Sequence, residues 1–225
     1  MVLPDNYFYK KNQMRNIIII LSAIVLFSCK TSTTQVSNEL PKPTLNGGKP
    51  LMIALRDRHT TRDFSEKELP LQTISNLLWA ANGINRTQSG GRTAPSAMNK
   101  QEIDVYVALK SGVYLFDFKE HKLNKISDED IRSSVGEQKF HKIVPVSLIL
   151  VADYNKVKVH PNDSIQKRFS YMDAAYVSEN IYLFCSSESL ATVAVASLNY
   201  DLLHQKLKLT ADQEVMLAHP VGYPK

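Results

Sequence analysis

Val144 to Ala152 reads VPVSLILVA, an uncharged run rich in β-branched residues. Such a run is too short for an average helix, and its composition predicts a strand buried on both faces. The chain on either side shows what that strand pairs with. Glu102 to Leu109 places Ile103, Val105, Val107 and Leu109 at every second position, the pattern of a half-buried strand. Ser111-Gly112 can turn the chain, and Val113 to Phe118 returns as the second arm of a hairpin. Asp128 to Val135 reads as a weak helix with an acidic start. After the central run, Ser164 to Ser187 carries Ile165, Phe169, Met172, Tyr176, Val177, Ile181 and Phe184 at helical spacing. Thr192 to Ser197 reads as a strand, Asp201 to Leu207 as a short helix, and Glu214 to Tyr223 as a terminal strand.

Towards the N-terminus, Leu51 to Asp57 is a short helix after Pro50. Leu71 to Asn82 is a stronger one, with Leu71, Ile74, Leu77, Leu78 and Ala81 on one face and Gly83 as its stop. Asn85 to Thr93 is a polar loop. There is no internal repeat and no strict alternation of strand and helix, so the fold class is α+β.

Composition bounds the function. With 225 residues, 44% hydrophobic and 22% charged, the chain can build one sizeable core or at most two small ones. Eight glycines and ten prolines exclude collagen-like classes, and two cysteines exclude a disulfide-stapled miniprotein or a multi-cysteine zinc module.

The N-terminal segment reads as an address. Ile17 to Phe27 is IIIILSAIVLF, preceded by Lys10, Lys11 and Arg15. It falls short of the ~20 apolar residues that span a bilayer and suits a signal-peptide core. An uncleaved anchor is the other reading. Leu26-Phe27-Ser28-Cys29 resembles a bacterial lipobox, which makes Cys29 the candidate lipidation site. Residues 1–28 are then a signal peptide, 29–50 a lipidated cysteine with a flexible Ser/Thr/Asn/Pro-rich tether, and 51–225 the folded domain. The expected place is the cell envelope, lipid-anchored to a bacterial membrane and facing the periplasm or exterior. Removing residues 1–28 lowers the net charge from +5 to +3, and the remaining basic residues are dispersed. Nucleic acid is therefore not an expected partner.

Common catalytic signatures are missing. There is no G-x-G-x-x-G after a strand, no phosphate loop with lysine, no G-x-S-x-G and no close pair of histidines for a metal. Two clusters stand out instead. Arg56-Asp57-Arg58-His59-Thr60-Thr61-Arg62 holds three guanidiniums, an imidazole and two hydroxyls within seven positions. That set suits a phosphate and a polar ring edge, or else a solvated charged loop. Arg92 to Gln101 combines Pro95, Ser96, Met98 and Asn99 before a strand, and can pack against a flat ring or simply enter the strand.

In this order the two clusters resemble the nitroreductase family of FMN flavoproteins. Arg58-His59-Thr60-Thr61-Arg62 is similar to its N-terminal R-[RH]-[ST]-x-[RK] segment, and Pro95 to Gln101 to its P-S-x-x-N-x-Q segment. Leu77 to Ile84, LLWAANGI, and Gly112 to Asp117, GVYLFD, followed by His121-Lys122-Leu123, resemble the SagB-type branch. Val221-Gly222-Tyr223-Pro224 resembles the family's closing motif.

The resemblance implies a nitroreductase-like α+β fold with a mixed central sheet flanked by helices, in a domain-intertwined homodimer. It implies FMN at the subunit interface, with Arg58, His59, Thr60 and Arg62 on its phosphate, ribityl chain and pyrimidine edge. Pro95, Ser96, Ala97, Met98 and Asn99 would cover the flavin from the partner subunit. Leu190 and Ala191, in the place of the family's Gly-Leu-Gly turn (here Ser189-Leu190-Ala191), and Lys225 complete the implied contacts. The implied activity is FMN-dependent hydride transfer to or from a small molecule or peptide, with NAD(P)H or another hydride donor. The flavin carries the chemistry, so no side chain is nominated as catalytic. The competing function is a non-enzymatic flavin- or ligand-binding lipoprotein.

Overall fold

The computed structural model describes residues 38–157 and 163–225. The signal-peptide segment, Cys29 and the tether as far as residue 37 lie outside the described residues. Among the described residues no helix is long and apolar enough to cross a membrane.

Among the described residues four helices and eight strands follow in chain order. They are α1 (Leu51–Asp57), α2 (Leu71–Asn82), β1 (Ile84–Arg86), β2 (Gly91–Arg92), β3 (Ile103–Leu109), β4 (Gly112–Asp117), β5 (Lys122–Ser127), β6 (Val146–Asp153), α3 (Asp163–Ser187), β7 (Ala191–Thr192), α4 (Tyr200–Lys206) and β8 (Gln213–Gly222). β1 and β2 form a small ribbon, and the other six strands make one sheet in the order β5-β4-β3-β6-β8-β7. The expected α+β class holds. Every described pairing is antiparallel, so a mixed sense is not seen among these strands.

β6 lies in the middle of the sheet, between β3 and β8. Leu148, Leu150 and Ala152 face one apolar cluster with Leu77 and Leu78 of α2 and Val177 and Ile181 of α3. Ile149 and Val151 face a second cluster with Phe64, Val135, Phe140 and Leu203 of α4. Alternate residues thus serve opposite cores, which is why the run is apolar throughout. Burying each such side chain contributes roughly 1.5–3 kcal/mol relative to exposure.

The hairpin forms as expected. Leu109 pairs with Gly112, whose φ of +131° suits glycine, and a Cβ there would meet the Ser127 carbonyl. Three expectations change. Asp128 to Val135 holds only a 3-10 turn, Arg132–Ser134, because Ile131 and Val135 alone are buried there. The expected strand over 192–197 shrinks to Ala191–Thr192 plus a single bridge from Val195 to Ala218. β5 arises without an alternating apolar pattern, since Leu123 alone is buried in it.

Asn38 to Pro50, read as tether, lies along the domain. Leu40 is buried, Leu123 donates its N–H to the Asn38 carbonyl at 2.8 Å, and Ser75 Oγ donates to the Pro41 carbonyl at 2.5 Å. Thr44 N–H reaches Asn76 Oδ1 at 2.8 Å, and Lys49 N–H reaches Ser187 Oγ at 2.8 Å. One buried leucine and a set of main-chain bonds suffice to hold a segment whose composition is polar.

Candidate functional site

Where α1 ends, the chain runs as a connecting strap between β7 and the C-terminus. Thr61 N–H donates to the Thr192 carbonyl at 3.0 Å, Ser65 N–H to the Tyr223 carbonyl at 2.9 Å, and Lys225 N–H to the Asp63 carbonyl at 3.3 Å. This strap forms one wall of a cavity of about 540 Å³. The last turn of α3 forms the second, with Tyr182, Cys185 and Ser186. Ser189, Leu190, Thr192 and Pro224 close the third. The volume lies in the ~300–1,000 Å³ range of small-molecule pockets.

The wall is predominantly cationic. Lys49, Arg56 and His59 line it, and the one carboxylate among its lining residues is Asp57. Arg56 Nε donates to Asp57 Oδ1 at 2.8 Å and Lys49 Nζ to Oδ2 at 3.3 Å. These hydrogen bonds, Arg56's first, hold the Asp57 carboxyl below its ordinary range, and Asp57 in turn raises Arg56. His59 Nδ1 lies 2.7 Å from the Asp57 carbonyl. A carbonyl only accepts, so Nδ1 carries a hydrogen in this contact.

Behind the wall sits a neutral polar network. His219 is fully buried, with Nε2 2.8 Å from Ser178 Oγ and Nδ1 3.0 Å from Thr192 Oγ1. Burial lowers its pKa to about 3, so it stays uncharged at neutral pH. Cys185 is buried, and desolvation pushes its thiol far above the ordinary range. It is no nucleophile at neutral pH.

The turn after α3 retains the backbone that glycine favours. Ser189 adopts φ +57°. Leu190 N–H donates to the Cys185 carbonyl at 2.8 Å, and Ser189 N–H approaches the Ser186 carbonyl at 3.5 Å. That is the left-handed helix stop that usually carries glycine.

The nominated residues distribute as follows. His59 and Leu190 line the cavity. Arg58 turns onto the Tyr182 ring, 5.2 Å from its centre, and Thr60 Oγ1 lies 3.2 Å from the Tyr182 hydroxyl. Arg62 and Lys225 are exposed, and Ala191 is buried in β7. Pro95 and Ser96 line a separate narrow space with Arg92, Gln101 and Asp173. Ala97 is held by Asp173, while Met98 and Asn99 are exposed. Within one chain the two clusters do not share a cavity. Lys49, Tyr182, Ser186, Thr192 and Pro224 were not legible as site residues, because only the fold brings them to the strap. Arg56 and Thr61 lay within the quoted cluster.

A cationic end with hydroxyls at Thr61, Ser186 and Ser189 fits the phosphate and polyol of FMN. Among the described residues no group of three or more His, Cys, Asp or Glu side chains is placed to hold a metal.

A model of the nitroreductase family matches residues 55–223. A Methanocaldococcus jannaschii protein described as a nitroreductase is 28% identical over 176 residues, 73% of this chain and 86% of the relative. The crystal structure of a protein described as a nitroreductase, from Ralstonia eutropha JMP134, is 39% identical, with a TM-score of 0.78 over 83% of this chain and 88% of that one. A chain of the E. coli microcin synthetase McbBCD complex with truncated pro-MccB17 shares the fold alone, at 15% identity and a TM-score of 0.65 over 85% of this chain and 80% of that one.

Proposed function

Because the chain belongs to the nitroreductase family of flavin-dependent oxidoreductases, we propose that it is an FMN enzyme of the SagB-type branch. It works as a homodimer anchored to the envelope through a lipid on Cys29. The cationic cavity at the end of α1 carries this reading. Lys49, Arg56 and His59 hold the phosphate, and Thr61, Ser186 and Ser189 offer hydroxyls to the polyol. Arg58, Thr60 and Arg62 supply positive charge and a hydroxyl along the same strap. Arg58 is set by its stacking on Tyr182. Bound there, FMN supplies hydride acceptance and donation at its N5.

The dimer is supported by exposed apolar side chains on α1 and α3. Leu51, Met52 and Leu55 on α1 are 63%, 73% and 45% exposed, and Met172 and Tyr176 on α3 are 42% and 49% exposed. A neighbouring groove of about 330 Å³ is lined by Leu51, Ala54, Trp79, Ala80, Leu183 and Phe184. A second copy seated on this face would bury it and bring the exposed Met98 and Asn99 of the partner over the flavin. The donor is NAD(P)H or another hydride carrier, and the substrate is a small molecule or a peptide.

Reconstitution with FMN tests the reading. Protein mixed with FMN and desalted should keep the flavin's visible absorption, and should oxidise NADH or NADPH steadily with a quinone or nitroarene. Retained flavin without turnover by NADH, NADPH or dithionite followed by acceptor identifies a flavin-binding lipoprotein instead. No retained flavin overturns the cofactor assignment.

A further inference from the structure

Two buried carboxyl groups lie beneath the Pro95–Gln101 loop, outside the cavity at α1. Glu102 is fully buried just before β3, and Asp173 on α3 is 3% exposed. Glu102 Oε1 accepts the Ser170 hydroxyl at 3.1 Å, while Oε2 is buried without a donor. Ser170 and Asp173 stand three residues apart on one face of α3, which brings the Asp173 carboxyl up to the Glu102 carboxyl that Ser170 bonds, and Asp173 adds to the upward push on Glu102. Two carboxylates bring only acceptors to such a contact, so a hydrogen bond between them requires a proton on one.

Asp173 also reaches the loop. Its Oδ2 accepts the Ala97 backbone N–H at 2.8 Å. The loop needs holding, because Met98, Asn99 and Gln101 have φ of +48°, +54° and +54°. Left-handed backbone costs non-glycine residues about 1–2 kcal/mol each, and asparagine less. Ser96 Oγ accepts from Gln101 N–H at 2.9 Å, and Gln101 Nε2 donates to the Gly90 carbonyl at 2.9 Å. These bonds shape the loop, and the Asp173 bond fixes it to α3.

We propose that Glu102 and Asp173 form a one-proton carboxyl pair that latches the Pro95–Gln101 loop against α3. With the proton in place, the Glu102 O–H donates to Asp173, whose remaining lone pairs receive Ala97 N–H. When the proton passes to solvent, two anions face each other in a buried space. Glu102 is held by the Asp153 N–H on its carbonyl at 3.0 Å and by Ser170 on its Oε1, so Asp173 swings from it and releases Ala97.

Among the surrounding charges, Arg92 lines the same narrow space as Asp173, and its Nε is buried without a partner among the described residues. Arg92, from β2, feels both Glu102 and Asp104, but stacks 3.4 Å from the Phe118 ring centre and donates to the Ile103 carbonyl at 3.2 Å. Asp104 is paired with Lys156 at 2.7 Å. Beyond β6, the Tyr154 hydroxyl is bonded to Glu214 at 2.8 Å, and Lys100 on the loop is exposed. Burial dominates and raises Glu102 to about 7. A raised folded value means the proton is held below neutral pH and lost as pH rises through about 7, so the loop is latched below and loosened above.

The latch stands apart from the flavin reading. Its consequence for the cofactor, a cover that loosens above neutral pH, rests on that reading. The test is NMR on the full chain without FMN, following side-chain carboxyl carbons and the hydrogen-exchange protection of Ala97. One carboxyl of the pair should titrate near pH ~7, and Ala97 protection should fall about tenfold from pH ~6 to ~8. Glu102→Gln, whose amide donates at every pH, should abolish that break. Asp173→Ala should remove Ala97 protection throughout, with a thermal melt to show the variant folded, and Glu102→Gln decides the matter if it is not. Both carboxyls titrating in the ordinary carboxylate range, or a break that survives Glu102→Gln, overturns the latch. FMN retention in the same samples is read separately. Lost retention with the break intact sinks the flavin reading alone, and normal retention without a break sinks the latch alone.

Discussion

The guanidinium of Arg58 stands 5.2 Å from the centre of the Tyr182 ring, which joins the strap after α1 to the last turns of α3. The Tyr182 hydroxyl also accepts the Ala194 N–H at 2.8 Å and lies 3.2 Å from Thr60 Oγ1. One side chain therefore orients three segments of the cavity wall. Tyr182→Phe keeps the ring and loses the hydroxyl, and should cost about 1 kcal/mol in urea unfolding. Tyr182→Ala also loses the stacking on a half-buried ring and should cost about 2 kcal/mol. FMN affinity should fall clearly more in Tyr182→Ala than in Tyr182→Phe. Equal losses in both would place the hydroxyl, not the ring, in control of Arg58.

Ser189 offers a gain instead. Its φ of +57° at the helix stop penalises any residue with a Cβ. Ser189→Gly should raise the unfolding free energy by about 1 kcal/mol, less the entropy glycine gives the unfolded chain. The denaturant midpoint should rise with an unchanged slope. A fall in midpoint would show that the Ser189 side chain contributes more than its backbone costs.

How much of this was legible varies with the physics of each element. α1 and α2 end where prolines, apolar spacing and Gly83 place them. β6 was legible because burial on both faces leaves no polar position. β5 was not, since Leu123 alone faces the core and its pairing comes from β4. The strand expected over 192–197 is mostly absent because β8 pairs with it continuously only at Ala191 and Thr192. For the site, the arginine-rich cluster showed the charge but not its direction. Arg56 lines the cavity while Arg58 stacks on Tyr182, a choice made by α3 more than a hundred residues away. Linear spacing carries no trace of that contact.

Two buried histidines set the acid limb of stability. His141 and His219 are fully buried, and desolvation lowers them to about 4 and about 3. Below the ordinary value of 6.5 the unfolded chain binds protons that the folded chain refuses, so stability falls as pH drops from there towards 4. The loss should be on the order of a few kcal/mol by pH ~4.5. His141 is the cleaner probe, because neither ring nitrogen has a partner among the described residues. His141→Phe should flatten the limb between pH ~6 and ~4.5 in chemical denaturation. An unchanged slope would assign the acid sensitivity to His219 and the carboxylates. Glu102 acts with the opposite sign, since its raised value withdraws stability as pH climbs from the ordinary 4.5 through about 7.

Phosphate recognition should follow the cavity wall and not the density of arginines along the strap. Arg56 lines the cavity and is bonded to Asp57, whereas Arg62 lines no part of it. Arg56→Gln removes a cationic donor from the cavity wall and should weaken FMN binding severalfold. Riboflavin, which lacks the phosphate, should bind this variant as it binds the wild type. Arg62→Gln should stay within about twofold for both ligands, because its charge lies off the cavity and is screened over that distance by solvent and salt. Asp57→Asn should tighten FMN, because it releases Arg56 and Lys49 from the carboxylate they now share. Fluorescence titration of the three variants with FMN and riboflavin separates the cases. Equal weakening of both flavins by Arg56→Gln would move the phosphate away from α1.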